Sequence, residues 1–282
     1  MRQFLILGFL TVLIACGGSP SGDSEYVDQM ADQHATDSSE ANPMSSVEEA
    51  AAVSGGDVVY GTIDGTELTG YMAVPEGIVD PLPGVLVIHE WWGLNDNIRS
   101  MTDRLAGEGE RALAVVLYAD QTADTPERAR ELMSAAMEQA DRQVANLTAA
   151  HAFLVGDHQA PATGVVGWCF GGTWSFRSAL ALGDGLDAAV MYYGWPPSET
   201  DGLSALRAPL LGLFGEEDGG IRVDSVRAFD AALEEIGADA EIVIYPGAGH
   251  AFANPSGQNY QAEAAEDSWK RTVEFFRVHL LE

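Results

Sequence analysis

Short runs of almost wholly apolar residues recur along this chain, and segments with helical spacing lie between them. Val85-Leu86-Val87-Ile88, Leu113 to Leu117, Gly164-Val165-Val166, Ala188 to Tyr192, Leu210 to Phe214 and Glu241 to Tyr245 read as strands. Most are apolar enough to be buried on both faces. Helical spacing marks Asn97 to Gly107, Thr173 to Leu182, Val223 to Ile236 and Tyr260 to Leu280. A longer helix opens at Pro126 and places Ala129, Leu132, Met133, Ala136, Val144 and Leu147 on one face. Val58-Val59-Tyr60 and Leu68 to Val74 read as two further strands around the turn Asp64-Gly65. Buried strands alternating with helices predict an α/β fold, with a mostly parallel central sheet covered by helices on both faces.

The first 57 residues carry a different texture. Residues 17–57 hold no Lys or Arg and few large apolar side chains. Such a composition predicts a flexible acidic tether, with a short helical turn over 47–53 at most. Ahead of it, Arg2 precedes an apolar run from Phe4 to Ala15, followed by Cys16. A basic start, a short apolar stretch and small residues at the cut make a signal peptide over 1–15. The run is too short to cross a membrane, which takes about 20 residues. Leu13-Ile14-Ala15-Cys16 resembles a bacterial lipobox, which implies cleavage before Cys16, lipidation of its thiol and a bilayer as partner. The expected location is the cell envelope, on the periplasmic side. Residues 58–282 suffice for one full α/β domain, expected to be a monomer.

Charge narrows the partners. The chain has 43 acids against 14 bases, a net charge of −29, and Lys270 is its single lysine. Binding to nucleic acid needs clustered Lys and Arg, and no cluster is present. Nothing in the sequence signals a metal site or a cofactor. Gly171-Gly172 opens a helix, but no Lys-Ser/Thr follows, so a nucleotide-binding loop is not expected.

The chemistry concentrates at Gly167-Trp168-Cys169-Phe170-Gly171-Gly172, between an apolar strand and a helical segment. Gly-x-nucleophile-x-Gly in that setting is the nucleophile elbow of α/β-hydrolases, here with cysteine in the reactive position. A small buried cysteine behind a central strand is the plainer alternative. An elbow needs a base and an orienting acid, in the chain order nucleophile, acid, His. Asp218 follows the strand ending at Phe214, with Glu216 and Glu217 as rivals, and His250 follows the strand ending at Tyr245. Both fall at C-terminal strand ends, where open parallel sheets place their sites. His89-Glu90-Trp91-Trp92-Gly93 follows the first buried strand, where the second oxyanion-hole amide normally arises.

Taken together, His89 to Gly93, Gly167 to Gly172, Asp218 and Gly249-His250-Ala251-Phe252 resemble the dienelactone hydrolase family over residues 58–282. The resemblance implies an α/β-hydrolase fold and a Cys169-His250-Asp218 triad acting on ester or lactone bonds of small molecules. It also implies that Glu90 hydrogen-bonds the resting thiol, and that the backbone N–H groups of Trp91 and Phe170 form the oxyanion hole. Trp92, Tyr118, Trp168 and Tyr193 fall near strand ends and are candidates to line the substrate site. Family members grip a substrate carboxylate with arginines at two positions held here by Asp120 and Asn254, so neutral substrates are expected. Arg99 and Arg222 lie on neighbouring loops. Two other functions share the same residues: a non-catalytic binding or scaffolding lipoprotein, and a thioesterase or peptidase.

Overall fold

In the computed structural model, residues 20–35, 52–78, 81–197 and 202–281 are described. Residues 1–15 and Cys16 lie outside the described residues, as do 36–51. No helix among the described residues is long and apolar enough to cross a membrane.

Eight strands form one sheet: β1 (Val53–Ile63), β2 (Thr66–Pro75), β3 (Gly84–Ile88), β4 (Arg111–Val115), β5 (Thr163–Trp168), β6 (Ala188–Tyr192), β7 (Leu210–Gly215) and β8 (Ala240–Tyr245). Their order is β1-β2-β4-β3-β5-β6-β7-β8. The β1–β2 and β2–β4 pairs are antiparallel, and every pair from β4 onward is parallel. β3 to β7 are buried along their whole length. That accounts for their unbroken apolar sequence, because helices cover both faces.

Those helices are α2 (Asp96–Gly107), α3 (Pro126–Glu138), α4 (Ala140–Gly156), α5 (Phe170–Leu182), α6 (Val223–Glu235) and α7 (Ala262–Phe276). Local capping sets their starts. Asn95 accepts from Ile98 N–H at 3.2 Å, and Thr125 accepts from Arg128 N–H at 3.3 Å with Pro126 beginning the first turn.

Three expectations change within the domain. The single long helix from Pro126 is two helices, because Gln139 leaves helical geometry at φ −109°, ψ 40°. The Gln139 carbonyl then accepts from Arg142 and Gln143 N–H and starts α4. The bend lets α4 pack along β1 while α3 turns away from it. The fourth strand ends at Val115 rather than Leu117, because Leu117 N–H leaves the ladder to bond His89 Nε2 at 3.1 Å. The terminal helix ends at Phe276 and finishes in one wider turn, Arg277–Leu281.

The largest change concerns the acidic segment. Residues 20–35 are not a bare tether. A helix, α1 (Pro20–Gln33), packs on the domain and buries Tyr26, Val27 and Met30. These positions recur at helical spacing, so a short polar helix still presents one apolar face. The folded part also begins earlier than Val58, since β1 starts at Val53. The turn expected over 47–53 falls mostly outside the described residues, and Val53 is strand.

The junction of β5 and α5 is the tightest point of the fold. A Cβ on Gly167 would lie 2.1 Å from the Gly171 carbonyl oxygen, and one on Gly171 would lie 2.2 Å from that of Ile88. Neither backbone can yield, since each belongs to a central element. Gly171→Ala is therefore expected to cost about 3 kcal/mol, or roughly 6–12 °C in Tm for a domain of this size. Thermal unfolding followed by circular dichroism measures it. An unchanged Tm would refute this account of the junction.

Candidate active site

Cys169 sits in the elbow at φ 56°, ψ −117°, a conformation that L side chains avoid. The strain is maintained from both sides: Cys169 N–H bonds the Tyr192 carbonyl at 3.1 Å, and its own carbonyl accepts from Thr173 N–H at 3.1 Å. Phe170 is the first residue of α5, so the helix gives its N–H no carbonyl to bond.

His250 follows β8, and its Nδ1–H donates to Asp218 Oδ2 at 2.6 Å. The other carboxylate oxygen of Asp218 accepts from Gly220 N–H (2.9 Å), Ile221 N–H (2.8 Å) and Gln33 Nε2 (3.0 Å). Of the three candidate acids, Asp218 is the one on His250. Glu216 is exposed and accepts from Gly247 N–H at 3.4 Å. Glu217 is exposed as well.

Electrostatics follow from this line of groups. Burial pushes the Asp218 carboxyl up, but His250, Gln33 and the loop amide outweigh it and hold it below its usual value. Burial pushes the His250 imidazole down, and the Asp218 and Cys169 charges overcome this and hold it well above its usual value. Burial pushes the Cys169 thiol up, and His250 and then His34 bring it down to about 6. The buried pair therefore favours thiolate and imidazolium together.

The remaining residues surround the pair. Glu90 is buried, and its Oε2 accepts from Asn254 Nδ2 at 2.7 Å. Asn254 thus serves the Glu90 carboxylate. Asp120 is exposed and hydrogen-bonded by Thr69. Arg99 pairs with Asp57 at 2.6 Å and lies over the Tyr71 ring, and Arg222 is exposed near Asp224. Trp91, Tyr118 and Tyr193 are buried, and among the described residues Trp91 Nε1, Tyr118 Oη and Tyr193 Oη have no hydrogen-bond partner. Burial raises both tyrosine hydroxyls, so they remain neutral donors. Trp92 packs on Trp91 with ring centres 4.7 Å apart. Trp168 differs from its neighbours. It precedes Cys169 on β5 and so faces the other way, packing on Tyr192 and lining a separate cavity of about 240 Å³ with Arg104 and Trp269.

Two features of the site were not read from the sequence. His89 is held in one tautomer, with Nδ1–H donating to the Glu90 carbonyl at 2.6 Å and Nε2 accepting from Leu117. Burial lowers its pKa to about 4, so it braces the ends of β3 and β4 as a neutral ring. The second comes from α1. Met30 Sδ lies 3.7 Å from Cys169 Sγ, and His34 Nε2 lies 3.9 Å from it. The signal for it was the spacing Tyr26, Met30, His34, four residues apart. The Cys169 sulfur and one ring nitrogen each of His34 and His250 lie within 4.8 Å of one another, a donor set that suits a soft metal ion.

Comparison with known proteins identifies the family. Residues 68–280 match the model of the dienelactone hydrolase family. A provisionally named carboxymethylenebutenolidase of Saccharolobus solfataricus is 32% identical over 250 residues, covering 76% of this chain and 95% of its own. Protein usf of Aquifex pyrophilus is 34% identical over 232 residues, covering 80% of this chain and 99% of its own. A crystal structure of a provisionally named dienelactone hydrolase from Klebsiella pneumoniae superposes with a TM-score of 0.70 at 32% identity, over 80% of this chain and 98% of that one. The fold and site define an α/β-hydrolase of ester or lactone type. The chain belongs to the dienelactone hydrolase family.

The paired charges make a pH prediction. The thiol value is depressed, so thiolate forms as pH rises through about 6 and is lost below it. Thiolate ultraviolet absorbance, titrated in wild type and in His250→Ala, checks this. Removing the imidazole should move the midpoint above the ordinary thiol value of about 8.5, because burial then acts with less opposition. A midpoint unmoved by the substitution would rule out the pairing.

Proposed function

We propose that this protein hydrolyses neutral ester or lactone bonds of small molecules through an acyl-thioester on Cys169, with Cys169, His250 and Asp218 as the triad. The observation that carries the reading is the buried line from Asp218 through His250 to a thiol on a strained elbow. The Cys169 thiolate attacks the carbonyl carbon, and the oxygen takes up negative charge facing the Phe170 and Trp91 N–H groups. As the tetrahedral intermediate collapses, His250 gives its proton to the leaving alkoxide. It then takes one from water, which attacks the thioester and frees the acid. Asp218 holds the imidazole in orientation throughout. Glu90 is assigned a part in setting the protonation of the thiol.

A neutral substrate fits the surroundings. Tyr118, Tyr193 and Trp91 offer uncharged donors, while Asn254 is engaged by Glu90 and Arg99 by Asp57. A charged hydrogen bond is worth about 1.5–3 kcal/mol, so the roughly ten- to hundredfold preference an arginine would give carboxylate-bearing substrates should be missing. Comparing kcat/KM for an anionic lactone and its methyl ester tests this, and a strong preference for the anion would reject it.

The nucleophile has its own test. Mass spectrometry of enzyme quenched during turnover of a slow aryl ester should find an acyl adduct on Cys169. Cys169→Ala and His250→Ala should each lose several orders of magnitude in kcat, the double variant little more, and Asp218→Asn less. Turnover surviving in Cys169→Ala would exclude the mechanism. We further propose export and lipid anchoring through Cys16. Cys16→Ser should then shift the protein out of the detergent phase or leave it uncleaved, and unchanged partitioning would count against the anchor.

A further inference from the structure

Attack on an acyl carbonyl needs that carbon about 3–3.5 Å from the sulfur. In this structure the space is filled. Met30 Sδ stands 3.7 Å from Cys169 Sγ, and Cys169 and His250 are 1% and 2% exposed. A cavity of about 420 Å³ opens beside His250 and His34, but Cys169 does not line it. No ester can reach the nucleophile while α1 is seated.

The seating is specific. Tyr26, Met30 and His34 share one face of the N-terminal segment and lie along the site. The Tyr26 ring packs on Trp195 with centres 5.1 Å apart, and its hydroxyl meets Thr173 Oγ1 at 3.1 Å. The His34 ring lies 4.9 Å from Trp91 and 5.1 Å from His250. Gln33 bonds the triad carboxylate. Outside this face, Asp23 pairs with Arg177 at 2.6 Å and Asp28 pairs with Arg130. The seat also leaves buried groups wanting partners: among the described residues, Gln33 Oε1 and Arg177 Nη1 have none. Unpaired buried polar groups weaken a contact, which suits a segment that must leave.

We propose that α1 is an autoinhibitory cap whose Tyr26–Met30–His34 face occupies the acyl site as a substrate would, so that substrate must displace it before Cys169 can react. The proposal rests on the hydrolase reading of Cys169 and names its regulation and substrate class. The occupying atoms are a thioether, a phenol and an imidazole. The site beneath the cap is therefore suited to elongated, uncharged, partly aromatic acyl groups, with the cap's charges held outside it.

The test uses the full chain in a Cys16→Ser background, where Cys169 is the only thiol. Alkylation of Cys169 by iodoacetamide reads access without requiring catalysis. Met30→Asp, which puts a charge on the apolar face, should raise the alkylation rate at least tenfold and raise turnover of a neutral aryl ester with it. Equal or slower alkylation in Met30→Asp would overturn the cap, whatever the esterase result. Faster alkylation with no ester hydrolysed by either form would leave the cap standing and remove the hydrolase reading. A second measurement needs no substitution. After Cys169 carries a bulky aryl group, the α1 amides should exchange hydrogen faster while those of α5 stay protected. Unchanged protection of α1 would also overturn the proposal.

Discussion

Everything in the site depends on the contact between β5, α5 and the end of β3. Gly167 and Gly171 let the first turn of α5 approach two central strands more closely than any Cβ would permit. That approach holds Cys169 at positive φ and leaves the first N–H groups of α5 uncommitted. It also places Cys169 level with the loops after β7 and β8, which deliver Asp218 and His250. A strained backbone persists only when its surroundings determine it from several sides. Here the Tyr192 carbonyl and the Thr173 amide do so.

The charges follow from that placement. A thiol, an imidazole and a carboxylate brought together in a buried space cannot titrate independently. Burial opposes every charged form, and mutual attraction outweighs it for all three groups. The oppositely signed neighbours are what make an acidic, cation-poor chain able to hold a cysteine as an anion. His250 supplies the positive charge where no lysine or arginine is needed.

The sheet was legible in the sequence because its central strands are buried on both faces and so are written as unbroken apolar runs. The positions of Cys169, Asp218 and His250 were legible for a related reason, since each follows such a run. Three things were not. The break at Gln139 has no proline or glycine beside it to mark it. Trp168 looked like a site residue by position, yet alternation along β5 turns it away from Cys169. Helix α1 was hidden by its composition. A segment rich in Asp, Ser and Gln is expected to stay unfolded, and Tyr26, Val27 and Met30 are the buried apolar side chains among its described residues. Three apolar side chains suffice there because the groove they fill was formed by other elements.

The lowered thiol value has a second side. A thiolate is the form that peroxide attacks, and a free cysteine anion kept near pH 7 is exposed to irreversible oxidation. With α1 seated, the Cys169 sulfur meets a thioether and an imidazole where solvent would otherwise stand. Methionine sulfoxide can be reduced again, whereas a sulfinic acid at Cys169 cannot in most proteins. The seat that covers the Cys169 sulfur thus also spares it from oxidants, and puts a repairable atom beside one that is not.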